Sequence, residues 1–221
     1  MATPRKLPEK RPGKAGGKRD ENRKQRAEAI AQAGLGLFLE RGIEGVTIDE
    51  IAERAGTAKG NFYRYFDDKA QLVESLLLPM ARTTRSAMRK CGVDLAKAKT
   101  NQGVTDAYAS LATTLIASAV QYRDEVRLFL QEHRAPATAA RASVRALSDE
   151  LQQGAFRLSQ AAKDHGVIAV KDPRISALAV IGAIEHLALV LLRGDIPDIL
   201  PLDIASTLIG MVLDGLRPRT A

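Results

Sequence analysis

Residues 47–66 constrain the fold of this chain more than any other stretch, because they predict two short helices joined by a tight turn. Thr47 and Glu50 have the spacing of a capping box, in which each side chain satisfies a free amide at a helix start. Gly56 stands where the helix must end in left-handed backbone, which glycine adopts without a Cβ penalty. A second helix is expected at residues 58–63, with Phe62 as its core anchor. This pattern is typical of a helix-turn-helix unit, whose second helix enters the DNA major groove.

The positive charge of the chain is concentrated at its N-terminal end. The formal net charge is +7, and residues 1–26 alone contain ten Lys or Arg against three Asp or Glu. This imbalance favours a polyanionic partner. Residues 1–19 have almost no apolar side chains, so we expect a disordered basic tail. Two interpretations of the tail are open: a solubilising segment, or an arm that follows DNA phosphates or the minor groove.

Cysteine content and hydropathy indicate a cytoplasmic protein without a membrane partner. Cys91 is the single cysteine, which excludes an intrachain disulfide and fits a reducing compartment, and we expect its thiol to be inert. The first twenty residues lack the apolar core of a signal peptide. The most apolar stretch, residues 175–192, is interrupted by Glu185 and His186 and is short for a bilayer span. We expect it to be a buried helix.

The rest of the chain predicts helices and no strand of any length. A first helix at residues 20–41 completes a three-helix unit whose core is too small to be stable alone. A fourth helix is expected at residues 67–90, with a kink or break at Pro79, and an irregular connection at residues 91–102. Five more helices are expected at residues 104–122, 125–134, 137–165, 173–193 and 202–216. The predicted fold class is therefore all-α, with about nine helices.

The last two predicted helices are apolar on more than one face. A helix of this kind must be covered on more than one face, and two in succession exceed what one small core can cover. We therefore expect a homodimer in which residues 173–193 and 202–216 meet their symmetry mates as a four-helix bundle. The alternative is a purely internal core.

The run from Gly34 to Leu72, which contains F-L-E-R-G-I-E-G-V-T-I-D-E-I-A-E-R-A-G-T-A-K-G-N-F-Y-R-Y-F-D-D-K-A-Q-L, resembles the TetR family of one-component bacterial transcription regulators. The resemblance covers about a fifth of the chain. It implies a homeodomain-like DNA-binding domain at residues 20–82 and a helical effector-binding and dimerisation domain at residues 83–221. It also implies a transcriptional regulator, with repression favoured by family habit, that a small-molecule effector releases from a palindromic operator in double-stranded DNA. No cofactor is implied.

The resemblance also assigns residues to DNA. Thr47, the two tyrosines of Y-R-Y and Lys69 would contact phosphates, whereas the K-G-N of the recognition helix would face base edges. Lysine can reach guanine acceptors, asparagine can pair with adenine, and glycine allows a close backbone approach. Ala58 replaces the usual capping Ser or Thr, so we expect Thr57 to cap one residue earlier. The expected DNA-binding residues are Thr47, Thr57, Ala58, Lys59, Gly60, Asn61, Tyr63, Arg64, Tyr65 and Lys69, although Arg64 could equally be solvated.

The implied effector pocket would lie among the fourth to eighth helices. The candidate lining residues are Tyr108, Tyr122, Phe129, His133, Phe156 and His186, with Glu185 as a polar anchor, and for each the alternative is ordinary packing. The three histidines lack metal-ligand spacing, so we expect no metal site. The expected mechanism is a population shift, in which the effector favours a dimer whose recognition helices no longer match successive major grooves. The fourth helix would carry this motion, with Pro79 as a candidate pivot.

Two other classes of protein are alternatives to a transcriptional regulator. An enzyme is disfavoured because the sequence has no Gly-rich phosphate loop, no nucleophile elbow and no paired acidic motif with a partner base. An architectural protein that coats DNA without effector control would explain the basic tail. It would not explain about 150 residues of apolar helices after the helix-turn-helix unit.

Overall fold

The computed structural model describes residues 18–195 and 198–216, and in these residues it contains α-helices, one 3₁₀ turn and no strand. The predicted all-α class is confirmed. The expected disordered tail lies mostly outside the described residues, but residues 18 and 19 already belong to the first helix. The helices are α1 (Lys18–Arg41), α2 (Ile48–Arg54), α3 (Lys59–Phe62), α4 (Lys69–Lys97), α5 (Asn101–Gln121), α6 (Arg123–Glu132), α7 (Ala142–Asp164), α8 (Pro173–Arg193) and α9 (Pro201–Leu216).

The three N-terminal helices share their core with the helices that follow. Phe38 of α1, Ile51 of α2 and Phe62 of α3 are fully buried in one apolar cluster. The same cluster continues through Leu72 of α4 to Leu128 of α6 and into the start of α7. The prediction that so small a unit needs support from the following helices is therefore confirmed.

Helix α4 is longer and more continuous than the sequence predicted. It runs unbroken from Lys69 to Lys97, so the irregular connection expected from residue 91 is wrong. Of the kink or break expected at Pro79, the break is wrong and the kink stays a prediction. Cys91 and Leu95 continue its buried face, which explains why the helix extends beyond residue 90. Pro79 is exposed, so its ring is accommodated on the outer face of the helix, and helical bonding continues on both sides of it. Thr100 caps the start of α5, accepting a hydrogen bond from the Gly103 amide at 3.1 Å.

The segment before α7 also differs from its prediction. Residues 139–141 form a 3₁₀ turn and α7 begins at Ala142, whereas a single helix was expected from residue 137. Arg141, at the end of this turn, donates to the Pro136 carbonyl at 3.2 Å and to a carboxylate oxygen of Glu132 at 2.6 Å. These bonds hold the chain in a tight turn between α6 and α7.

A second apolar cluster lies at the far end of α4. It contains Cys91 and Leu95 together with Val104 of α5, Leu158 of α7 and Leu213 of α9. Burial raises the pKa of the Cys91 thiol to about 11, with the charge of Asp94 as a smaller cause. A thiol with this pKa is almost entirely protonated at neutral pH, so the prediction of an inert cysteine is supported.

Helices α8 and α9 are poorly covered within one chain. Helix α8 packs on α7 and α9 packs on α5, and α8 buries three residues, all in its first turns. The expectation of a buried helix at residues 175–192 is therefore wrong for the isolated chain. Among the described residues, α8 is the one helix whose length and apolar composition would also suit a bilayer, a test that helices of soluble proteins pass too. The exposed large apolar side chains here are Ile175, Leu178, Ile184, Ile199, Leu200, Leu202 and Met211.

Candidate nucleic-acid interface

The start of α2 is fixed by the capping box that the sequence predicted. The Thr47 hydroxyl accepts a hydrogen bond from the Glu50 amide at 3.3 Å, and a Glu50 carboxylate oxygen accepts one from the Thr47 amide at 2.8 Å. Arg41 of α1 donates to the other carboxylate oxygen at 2.7 Å. This guanidinium, followed by the Thr47 amide, lowers the pKa of Glu50 to about 2, so the carboxylate is charged at neutral pH. Thr47 is held in place with its side chain exposed.

The turn between α2 and α3 depends on Gly56. Its φ of +65° lies in the left-handed region, and the Thr57 amide then donates to the Ala52 carbonyl at 2.9 Å. Ala58 occupies the N-cap position of α3 in extended backbone, and no side chain caps this helix. The expectation that Thr57 acts as the cap is therefore wrong. The Thr57 hydroxyl instead accepts a hydrogen bond from the Asn61 side chain at 2.8 Å, which fixes the amide before any DNA is bound.

Helix α3 presents Lys59 and Gly60 outward because Phe62 anchors the opposite side. Phe62 is fully buried and its ring centroid lies 5.6 Å from that of Phe66. Lys59 and Gly60 are exposed, and no heavy atom beyond the local backbone lies within 4 Å of where a Gly60 Cβ would stand. The fold does not demand glycine at this position. Because Gly60 has no side chain, another molecule can approach the backbone of α3 closely at this position.

The residues after α3 form the flank of this surface. Tyr63 and Arg64 are exposed, whereas Tyr65 is half-buried against the core of the three-helix unit. Lys69 is placed differently from a simple surface cation, because its ammonium donates to the Ile43 carbonyl at 2.6 Å and to the Val46 carbonyl at 3.0 Å. Its side chain is 18% exposed, so Lys69 holds the turn between α1 and α2. The ammonium also lies 3.7 Å from a Glu44 carboxylate oxygen, and a phosphate contact by Lys69 stays a prediction.

Two cations of the helix-turn-helix unit, Lys59 and Arg54, are paired with acidic side chains in the free protein. The Lys59 ammonium donates to Asp49 of α2 at 2.9 Å, and both side chains are more than half exposed. The hydrogen bond to Asp49 and its charge raise the pKa of Lys59. Arg54 makes a two-pronged contact with Glu40 of α1 at 3.1 Å. Sequence reasoning missed Asp49, because nothing in the pattern shows that residues 49 and 59 become neighbours.

We expect Asp49→Asn to strengthen non-specific DNA binding and to weaken discrimination between sequences. The substitution removes a negative charge beside α3 and frees the Lys59 ammonium to bind any nearby DNA phosphate. Affinity for random duplex should therefore rise about two- to fivefold. The measurement is fluorescence anisotropy with random and selected duplexes at several salt concentrations. Glu74→Gln, which neutralises an exposed carboxylate of α4, is the matched control. If both variants bound random duplex more tightly by the same factor, the gain in affinity would come from net charge and not from the release of Lys59.

The basic end of α1 lies next to the recognition helix. Arg26 lines a shallow groove together with Gly56, Thr57, Asn61 and Tyr65. Arg26 therefore lies at the edge of the candidate interface. This placement extends the candidate interface to a residue that the sequence analysis treated as part of a general basic segment.

The candidate effector residues are divided between two parts of the structure. Tyr122 and Phe129 belong to the apolar cluster of the DNA-binding unit, and the His133 ring stacks on Phe129 with centroids 5.1 Å apart. Tyr108 belongs to the second cluster, where its hydroxyl donates to the Leu158 carbonyl at 3.2 Å, and burial raises the pKa of its phenol. Tyr108 thus acts as a core residue and does not face the same site as Phe129.

The remaining candidates lie on α7 and α8. Phe156 is half-buried and His186 is exposed. Glu185 accepts a hydrogen bond from Arg134 at 2.7 Å, so this proposed polar anchor already has a partner at the end of α6. Among the described residues, no group of three or more His, Cys, Asp or Glu side chains could hold a metal ion. The effector site stays a prediction.

The helix-turn-helix unit is anchored by the buried Phe62 and is joined through the long helix α4 to a second, all-helical part. This architecture defines a class of DNA-binding proteins. Two family models match this chain: "Bacterial regulatory proteins, tetR family" at residues 30–76 and "Tetracyclin repressor-like, C-terminal domain" at residues 102–189. Together they span more than half of the chain. The chain belongs to the TetR family of bacterial transcriptional regulators.

Individual relatives match parts of the chain. The HTH-type transcriptional repressor KstR2 of Rhodococcus jostii is 31% identical over 101 residues, which cover 44% of this chain and 48% of that protein. The chain thus spans less than half the length of the curated relatives it matches first. NalD, the secondary repressor of a multidrug efflux pump in Pseudomonas aeruginosa, superposes with a TM-score of 0.67 at 21% identity and covers 89% of this chain and 98% of its own. AibR, solved with isovaleryl coenzyme A and operator DNA, gives 0.60 at 21% identity, covering 85% and 98%. These structures share the fold.

Proposed function

We propose that this protein is a sequence-specific transcriptional repressor that binds a palindromic DNA operator as a homodimer and leaves it when a small molecule binds. The observation that carries the proposal is the edge of α3 formed by the exposed Lys59 and Gly60 and the half-buried Asn61, supported from behind by the fully buried Phe62. No enzymatic activity is part of the proposal.

Direct readout would come from Lys59 and Asn61, and the flanking residues would position the unit on phosphates. An ammonium can donate to guanine O6 and N7, and a side-chain amide can pair with adenine N6 and N7. Both groups exchange an internal partner for a base, since Lys59 is bonded to Asp49 and Asn61 to Thr57 in the free protein. We assign phosphate contacts to Thr47, Tyr63, Arg64, Tyr65 and Lys69, with Arg26 at the edge of the site.

The uncovered apolar surfaces of α8 and α9 support a homodimer. These helices contact each other little within one chain, and each leaves large apolar side chains in solvent. Exposed apolar area of this extent on consecutive helices is typical of a subunit interface. Two-fold symmetry would then present two α3 helices to successive major grooves, ~34–36 Å apart.

Effector control is proposed from the architecture of the second domain. Helices α4 and α7 contribute to both apolar clusters, and between the clusters the middle turns of α5, α7 and α8 are incompletely buried, which is where we propose that a small apolar molecule binds. The AibR structure contains both isovaleryl coenzyme A and operator DNA. We propose an effector for this chain as well, without assigning its chemical identity.

The proposal is tested by selecting duplexes from a random-sequence pool with the full-length protein and measuring the stoichiometry of the best complex by sedimentation. We expect a palindrome bound by one dimer. A set of metabolite extracts and acyl-coenzyme A thioesters is then screened for release of that duplex. Binding that depends on DNA length and is indifferent to sequence would instead support an architectural DNA-coating protein.

A further inference from the structure

We propose that the end of α6 and the turn that follows it, residues 131–134, tie the DNA-binding unit to α8 and thereby set the distance between the two recognition helices of the dimer. We call these residues the α6 bracket. The inference rests on the proposed homodimer through α8 and α9. It adds a fixed connection from the subunit interface to the DNA-binding unit that does not pass through α4.

The inner side of the bracket is a buried carboxylate. Glu132 is 3% exposed, and each of its oxygens has a partner on a different part of the chain. The Ile43 amide, in the turn between α1 and α2, donates to one oxygen at 3.0 Å, and Arg141 Nε donates to the other at 2.6 Å. A buried carboxylate is strongly destabilising without such partners, so Glu132 holds both segments against α6.

The turn between α1 and α2 approaches the bracket closely. Gly42 has a φ of +77°, and a Cβ at this position would lie 3.0 Å from a Glu132 carboxylate oxygen. The neighbouring Gln131 donates from its side-chain amide to the Phe38 carbonyl at 3.1 Å. Thr138, after the bracket, donates to Glu44 in the same turn. These contacts attach the end of α1 and the approach to α2 to residues about ninety positions later in the chain.

The outer side of the bracket is bonded to α8. Arg134 donates through Nη2 to the Glu185 carboxylate at 2.7 Å, and His133 Nε2 lies 3.2 Å from the same oxygen. The Glu185 side chain is 17% exposed, so this contact is partly shielded from water. The His133 ring is also held from behind by its stacking on Phe129. The partners of residues 132 and 134 are therefore the DNA-binding unit on one side and α8 on the other.

This arrangement constrains how the DNA-binding unit can swing. Because residues 132–134 lie within one turn, a displacement of α8 relative to its symmetry mate would be passed to the Ile43 segment without a flexible linker between them. The spacing of the two α3 helices then depends on the bracket. Without it, the DNA-binding unit would stay folded on α4 through Lys69 and the shared core, but its angle to the interface would be less fixed.

The test compares duplexes that differ in half-site spacing. The palindrome selected by the wild-type protein is remade with one base pair added or removed at its centre, and a duplex with one half-site is included. Affinities are measured by fluorescence anisotropy for Glu132→Gln and Glu185→Ala. Glu185→Ala also covers the case in which Glu132→Gln fails to fold. We expect both variants to lose about tenfold of the preference for the original spacing, while half-site affinity stays within about twofold of wild type.

Glu150→Ala is the matched control. Glu150 accepts hydrogen bonds from Arg85 at 2.6 and 2.7 Å, so it forms an equally short arginine–glutamate pair, but this pair joins α4 to α7. We expect it to keep the wild-type spacing preference. A uniform loss of affinity for all duplexes in Glu185→Ala, or an unchanged spacing preference, would overturn the bracket. A wild-type protein that is monomeric or indifferent to half-site spacing would instead overturn the proposed homodimer. Failure of the homodimer proposal can therefore be told apart from failure of the α6 bracket.

Discussion

Replacing both Lys59 and Asn61 with alanine should reduce affinity for the selected palindrome by about three orders of magnitude, to the level of non-specific DNA. Within α3, Lys59 and Asn61 are the residues whose side chains can donate hydrogen bonds to base edges. Each good base contact contributes about 1–3 kcal/mol of discrimination. A dimer loses each contact twice. The binding that remains should come from phosphate contacts and keep a steep dependence on salt.

The double variant should fold normally, because both side chains lie on the outer side of a helix that Phe62 anchors. Circular dichroism and thermal melting check this point, and anisotropy titrations with selected and random duplexes give the specificity ratio. The matched control is Lys90→Ala combined with Asn101→Ala, which removes the same two side-chain types at exposed positions on α4 and α5. If the α3 variant still distinguished the two duplexes as wild type does, base reading would have to be assigned elsewhere.

The sequence predicted the helix-turn-helix unit closely because its signals are local. The Thr47–Glu50 box and the positive φ of Gly56 are set within a few residues, and both are present in the structure. Pro79 shows that local reasoning does not predict whether a helix ends at a proline. Proline usually interrupts a helix, but here the buried face of α4 continues to Leu95, and packing on α5 and α7 outweighs one missing hydrogen bond.

The electrostatic detail of the site could not be predicted, since it depends on which helices become neighbours. The pairing of Lys59 with Asp49 crosses the turn between α2 and α3, and the contact of Glu132 with the Ile43 amide joins residues 89 positions apart. The failed cap at Thr57 has a similar cause. Its hydroxyl is used by Asn61, a partner that competes with the backbone amides of α3.

The candidate effector residues show a different limit. The candidate pocket residues are aromatic residues and histidines. Residue type alone does not reveal whether a ring packs in a core or faces a ligand. Tyr108 and Phe129 proved to belong to separate apolar clusters. The uneven burial of α8 was likewise invisible from its composition, because an apolar helix can be covered by its own chain or by a second copy.

Charge introduced on the uncovered faces of α8 and α9 should separate the proposed dimer into monomers. In the double variant Ile184→Glu and Met211→Glu, each subunit would place two carboxylates where apolar surfaces meet, and an unpaired buried charge costs several kcal/mol. We expect a monomer in sedimentation velocity. Affinity for the palindrome should fall at least about 100-fold, because the second half-site is no longer bound at high effective concentration.

The controls for this variant use equally exposed apolar residues elsewhere. Val93→Glu combined with Val120→Glu adds the same charge at positions on α4 and α5 that are 51% and 73% exposed. This control should stay dimeric and bind the palindrome as wild type does. Binding to a duplex with one half-site should be the same in all three proteins, since α3 is untouched. A dimer that survives both substitutions in α8 and α9 would require a different interface, and the half-site spacing would then have to be explained from that surface.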